Sequence, residues 1–138
     1  MHYPARFEPA EEGGFVVTFR DIPEAITQGD TFDEAMSMAC EVLVLGIECY
    51  FDAHKHVPVP SAPEADETLV ELPASVWAKV LLLNEMIAAK VGPSELARRM
   101  HTRPQDVNRI INLSHATKID TLSRALAVLG KRLEVSVA

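Results

Sequence analysis

The stretch from Ser94 to Ile110, SELARRMHTRPQDVNRI, places four arginines, Arg98, Arg99, Arg103 and Arg109, in a chain whose formal net charge is −7. Gly92-Pro93-Ser94 interrupts the preceding segment, and a proline fits the first turn of a helix because its missing N–H would have no partner there. The spacing predicts a helix over Ser94–Met100 and a sharp turn at His101. Thr102-Arg103-Pro104-Gln105 then reads as a capping box, starting a second helix that runs through Asn112 with Val107 and Ile110/Ile111 facing inward. In a helix, tight turn, helix pattern of this kind, the second helix lies in the major groove of DNA and its first residues meet base edges. Arg103, Gln105, Asp106, Asn108 and Arg109 crowd that face. Arginine matches guanine, and Gln or Asn matches adenine, through paired hydrogen bonds.

The flanking segments complete a helical module. Ser75 to Lys90 carries Val76, Val80, Leu83 and Ile87 on one face, and Ile119-Asp120-Thr121-Leu122 through Leu129-Gly130 makes a closing helix with a glycine cap. Lys118, in the turn before that helix, is assigned to a phosphate. One such module reads only a short half-site, so a homo-oligomer, dimer or tetramer, is expected to span two. Leu133-Glu134-Val135-Ser136-Val137 alternates like a strand, either pairing with its counterpart in a second chain or joining its own chain's sheet.

Charge divides the chain at Leu72. Residues 1–72 hold 15 Asp and Glu against 3 Lys and Arg, net −12, and residues 73–138 hold 5 against 10, net +5. Two modules with different partners follow, 1–72 acidic and 73–138 basic. In the first, Tyr3–Phe7 and Phe15–Phe19 form a hairpin around Glu12-Gly13-Gly14, and an extended piece over Ala25–Thr27 precedes a turn at Gln28-Gly29-Asp30 in which Gly29 is free to take positive φ. Thr31-Phe32-Asp33-Glu34 is a capping box. The helix after it buries Phe32, Ala35, Met36, Ala39, Val42, Leu43, Gly46, Ile47 and Tyr50, and turns Glu34, Glu41 and Glu48 outward. Pro58, Pro60 and Pro63 forbid regular structure before a last short strand at Thr68–Leu72. The order is βββαβ, and the whole chain is of the α+β class.

Catalytic chemistry is thin. His54 and His56 flank Lys55 with no Cys or carboxylate at a ligand spacing, and Asp21, Glu24 and Asp30 fall in an acid-rich turn region. No nucleophile with a base, no phosphate loop and no cofactor motif appears. Cys40 and Cys49 fall on opposite faces of one helix, about 13 Å apart along its axis, and read as buried thiols. No apolar run approaches the roughly 18 residues of a membrane span and no signal pattern opens the chain, so a cytoplasmic protein is expected.

Two resemblances sharpen this. Ser94-Glu95-Leu96-Ala97-Arg98-Arg99, Val107-Asn108-Arg109-Ile110, Ile119-Asp120-Thr121-Leu122 and Ala127-Val128-Leu129-Gly130 resemble the Cro/repressor-type helix-turn-helix family, with His101 where that family usually has glycine. Tyr3-Pro4, Glu12-Gly13-Gly14-Phe15, Asp21-Ile22-Pro23-Glu24-Ala25, Thr27-Gln28-Gly29-Asp30-Thr31 and Glu34-Ala35, followed by the proline-rich loop, resemble the HicB antitoxin family. The second resemblance implies a partial, catalytically dead RNase H-like domain over residues 1–72 that covers a HicA-type mRNA-cleaving ribonuclease toxin. It also implies a helix-turn-helix domain over residues 73–138 that binds operator DNA and represses the pair's promoter. On this reading Arg103, Gln105, Asn108, Arg109 and Lys118 meet DNA, and Asp21, Glu24 and Gln28 lie in the toxin-facing region. A stand-alone transcriptional regulator with a ligand-sensing N-terminal domain is the second reading. A small RNase H-type nuclease is the third.

Overall fold

A computed structural model describes residues 1–138. Four strands and five helices follow in the order β1 (His2–Pro9), β2 (Phe15–Thr18), β3 (Ile26–Gly29), α1 (Phe32–Asp52), β4 (Thr68–Glu71), α2 (Ala74–Ala88), α3 (Pro93–Arg99), α4 (Pro104–Ile110) and α5 (Ile119–Val128). The protein is a mixed α+β fold. The chain divides into two compact units, Met1–Tyr50 with Pro58–Pro73, and Phe51–Val57 with Ala74–Ala138.

The first unit is built on an antiparallel sheet of order β3-β2-β1-β4. Gly13 and Gly14 take φ of 94° and 75° in the β1–β2 turn, a conformation that costs glycine little. One side of the sheet buries Tyr3, Ala5, Val17, Phe19 and Val70 against Ala35, Ala39, Leu43 and Ile47 of α1. Phe32 stands on the same stripe but remains 43 % exposed. Its ring closes the end of the core instead, 4.9 Å from that of Phe7 and edge-on to Phe15 at 5.8 Å. The capping box starts α1 as expected on one side, the Glu34 N–H donating to Thr31 Oγ1 at 3.1 Å, while the Glu34 carboxylate accepts from the Asp30 N–H rather than from Thr31.

The expected turn at Gln28-Gly29-Asp30 is corrected. Gly29 ends β3 without positive φ, and its role is space: a Cβ there would lie 2.4 Å from the Ala35 backbone nitrogen. Gly46 does the same from the helix side, where a Cβ would meet Ile22 Cγ2 at 2.9 Å and the Ala25 Cβ at 3.1 Å. α1 is thereby seated closely against β3 and the residues leading into it. The cysteines are also corrected: Cys40 is half-buried and Cys49 exposed, both as free thiols.

The proline-rich segment has no backbone ladder and is held by side chains. Tyr3 donates its hydroxyl to the Pro58 carbonyl at 2.7 Å, and the Asp21 carboxylate accepts from the Ser61 hydroxyl at 2.6 Å and N–H at 2.9 Å. Arg20 meets both oxygens of Glu67, at 2.8 and 2.9 Å, and Arg6 reaches Asp66 at 3.1 Å. Arg20 holds the Glu67 carboxyl down at about 2, and burial is the main force pushing the Tyr3 hydroxyl up.

In the second unit, Leu82 and Met86 of α2 pack with Val91, Leu96, Val107, Ile110, Leu122 and Leu126. Lys90, not the Gly92-Pro93 pair, ends α2: it takes φ 57°, and the Val91 N–H returns to the Met86 carbonyl at 2.8 Å. Gly130, at φ 77°, closes α5 as read from sequence. Residues 131–138 form neither helix nor strand, with Val135 76 % and Val137 98 % exposed. The short C-terminal strand is thus absent from the single chain, and the four strands of the sheet do not include it. No helix is long and apolar enough to cross a membrane.

Candidate functional site

The two helices of the opening stretch meet at His101, which takes φ 55°, the left-handed conformation the turn demands. The Thr102 N–H returns to the Ala97 carbonyl at 2.9 Å and closes α3. The start of α4 departs from the sequence reading. Arg103, not Thr102, is the cap, Pro104 takes the first helical position, and Asp106 rather than Gln105 stands third. The Asp106 carboxylate accepts from the Thr102 hydroxyl at 2.6 Å and the Arg103 N–H at 3.3 Å. Thr102, then Arg103, hold its carboxyl at about 2. α4 also ends at Ile110, two residues short of the expected Asn112.

Three of the four arginines are engaged by carboxylates. Arg98 and Arg99 both bind Glu95, and Arg103 lies 3.4 Å from Asp106. Glu95 is pulled down to about 2 by these two arginines. Arg109 has no ion pair. It shares an exposed side of α4 with Gln105 and Asn108, at the i, i+4 and i+3 spacing that aligns residues on a helix. Asp106, assigned to the same polar face by sequence, instead faces back to the cap.

Arg109 opens onto a concavity of about 250 Å³ whose lining includes His115, Thr117, Lys118, Thr121 and Arg124. Lys118 and Arg124 are exposed and, like Arg109, form no salt bridge. Asp106 shares the lining but is engaged by Thr102 and Arg103, so three cations without an ion pair border one depression and favour an anion with several charged oxygens. Sequence reasoning missed Arg124, although it lies three residues after Thr121 on α5, on the side that begins at Lys118. The Thr117 hydroxyl is buried in the wall without a hydrogen-bond partner.

Behind this surface lies a second residue the sequence reading overlooked. Lys79 of α2 is 3 % exposed, and its ammonium donates to the carbonyls of His115 at 2.6 Å, Asn112 at 2.7 Å and Arg109 at 3.4 Å. Those carbonyls close α4 and shape the segment that carries Lys118. Burial lowers the Lys79 pKa. The signal was present, since Lys79 falls on the apolar stripe of Val76, Val80 and Leu83.

In the first unit, the three acidic-region candidates have different employments. Asp21 is half-buried and bound to Ser61, so it anchors the proline-rich loop. Glu24 accepts the Tyr50 hydroxyl at 2.8 Å, and burial together with Glu24 pushes that hydroxyl up to about 12. Gln28 is exposed on β3, opposite Val16. His54 and His56 are exposed, and no three His, Cys, Asp or Glu residues converge on a metal position.

The family described as HicB_like antitoxin of bacterial toxin-antitoxin system matches residues 2–81. The chain belongs to this antitoxin family. It is 50 % identical over 135 residues to Antitoxin HicB 2 of Photorhabdus laumondii subsp. laumondii, covering 98 % of this chain and 95 % of that protein. It is 44 % identical over 135 residues to Antitoxin HicB of Escherichia coli strain K12, covering 98 % of each. Antitoxin HicB of Pseudomonas fluorescens is 34 % identical over 128 residues, 92 % of this chain and 88 % of that one. This antitoxin is therefore a regulatory protein with a toxin partner, not an enzyme.

Proposed function

We infer that this antitoxin neutralises a HicA-type ribonuclease through residues 1–72 and represses its own promoter through residues 73–138. The first module is assigned as a partial RNase H-like domain. Its charge of −12 supports a basic partner, since an enzyme that grips RNA presents cations. The second is assigned as a helix-turn-helix domain. The observation that carries the DNA half is the trio Arg109, Lys118 and Arg124, without ion pairs around one concavity next to the polar side of α4. Gln105 and Asn108 supply the groups that discriminate bases, with Arg103 at the start of the reading helix. Asp21, Glu24 and Gln28 mark the toxin-facing region, with Asp21 acting through the loop it anchors. A homo-oligomer places two reading helices on successive half-sites.

The test uses the full chain. Co-expression with a HicA-type toxin should restore growth that the toxin alone arrests, and the purified antitoxin should retard its own promoter DNA ahead of random DNA. Continued arrest by an abundant, folded antitoxin removes the first half. Equal retardation of both DNAs removes the second.

A further inference from the structure

The close seating of α1 on β3 has a geometric consequence. Ala35 and Gly46 mark the side of α1 in contact with β3 and the residues before it, because Cβ atoms on Gly29 and Gly46 would collide there. At 100° per residue, Met38, Val42, Leu45 and Cys49 fall within about 60° of one another on the adjoining flank. That flank is open: Leu45 is 60 % and Met38 38 % exposed, and Cys49 is exposed. On the opposite flank Leu43 and Ile47 are buried and Cys40 is half-buried. The helix therefore carries an uncovered apolar strip on its β3 side only.

β3 is itself an edge strand. Half of an edge strand's backbone N–H and C=O groups have no ladder partner, and native proteins usually shield such edges with Lys, Pro or a bulge. Ile26-Thr27-Gln28-Gly29 contains no Lys or Pro, and Ile26 is 60 % exposed. An unshielded edge beside an overhanging apolar strip is the arrangement that accepts one more strand, whose backbone pairs with the edge and whose alternate side chains cover the strip. Glu34, Glu41 and Glu48 run along the outer border of that strip. A second copy would bring the same acids against them, whereas a cationic strand is drawn in.

We propose that the free edge of β3 and the Met38–Leu45 flank of α1 form a strand-addition site for an extended, positively charged segment of the toxin. The proposal rests on the antitoxin reading and names the surface that serves it. Full-length Leu45→Arg and Met38→Arg proteins, with Leu69→Arg on β4 as control, are titrated with the cognate toxin after circular dichroism and melting verify the fold. Both α1 variants should bind at least tenfold more weakly, and the control within twofold of wild type. In parallel, toxin binding should slow amide exchange at Ile26 and Gln28, the alternate residues whose N–H groups point away from β2, as a paired edge requires. Wild-type affinity in Leu45→Arg, or unchanged exchange in β3 on binding, overturns the site while leaving the antitoxin reading intact. A lower oligomer mass in Leu45→Arg with toxin affinity unchanged also overturns it, in favour of a second copy as occupant. A wild-type chain that does not bind the toxin defeats both.

Discussion

The ammonium of Lys79 lies 2.7 Å from the carbonyl oxygen of Asn112, so a buried charge on α2 closes the C-terminal end of α4. The last carbonyls of a helix have no partner within it, and a lysine near that end satisfies them and opposes their partial negative charge. Lys79→Met keeps the length and apolar stem but leaves three carbonyls without this donor. It should cost about 2 kcal/mol, the penalty of an unsatisfied buried polar group. Melting temperature should fall by roughly 10 °C in a unit of this size, with faster amide exchange across residues 112–116. An unchanged melting temperature would show that water replaces the ammonium at no cost.

Acid should loosen the proline-rich loop before the sheet. Glu67 has its carboxyl held at about 2, against 4.5 ordinarily, by Arg20. A carboxylate with a depressed folded pKa adds stability that is complete above its unfolded value and disappears as pH falls through the folded one. The window here runs from about 4.5 down to about 2. Glu67→Gln should lower stability at pH 7 and flatten the decline between pH 5 and 2. Parallel acid titration curves for the two proteins would place the coupling elsewhere.

The glycines that seat α1 are not equivalent. A Cβ at Gly29 meets the backbone nitrogen of Ala35 at 2.4 Å, so the helix must move. At Gly46 the nearest atoms belong to side chains, the Ile22 Cγ2 at 2.9 Å and the Ala25 Cβ at 3.1 Å, and a shift of a few tenths of an ångström eases them. Alanine within a helix also recovers up to about 1 kcal/mol over glycine. Gly29→Ala should cost about 3 kcal/mol and Gly46→Ala about 1 kcal/mol, within the usual range for overpacking. Urea denaturation of both variants measures the order, and a larger loss at Gly46 would contradict it.

How much of this the sequence disclosed depends on the range of the interaction. The Thr31 cap, the Gly130 stop, the left-handed His101 and the βββαβ order are decided within a few residues, and periodicity and cap chemistry carry them. Lys79 is decided by three carbonyls 30 to 36 residues away, and only the path of the chain from α4 to α5 brings them to it. Gly29 was misread because a glycine between Gln and Asp suits a turn, whereas close packing against Ala35 is invisible until the helix is placed. The site was legible in kind but not in detail. Gln105, Asn108 and Arg109 line up on α4, yet Asp106 turned out to serve the cap, and Arg124 required α5 to be set beside Lys118.

DNA binding separates into two kinds of loss. Gln105 has no partner among the protein's own hydrogen bonds and lies on the exposed side of α4, so its amide is free to meet a base edge. Gln105→Ala should cost about 1–3 kcal/mol at the promoter and leave random DNA unaffected. Lys118 and Arg124 border the concavity and touch no carboxylate, so each is suited to a phosphate, which carries no sequence information. Lys118→Ala and Arg124→Ala should weaken promoter and random DNA alike and each reduce the slope of log affinity against log salt by about one, for one counterion no longer released. Fluorescence anisotropy on both DNAs across a salt series distinguishes the two. If Gln105→Ala weakens both DNAs equally, α4 does not read bases. An Arg124→Ala protein with an unchanged salt slope would mean that the concavity holds something other than the DNA backbone.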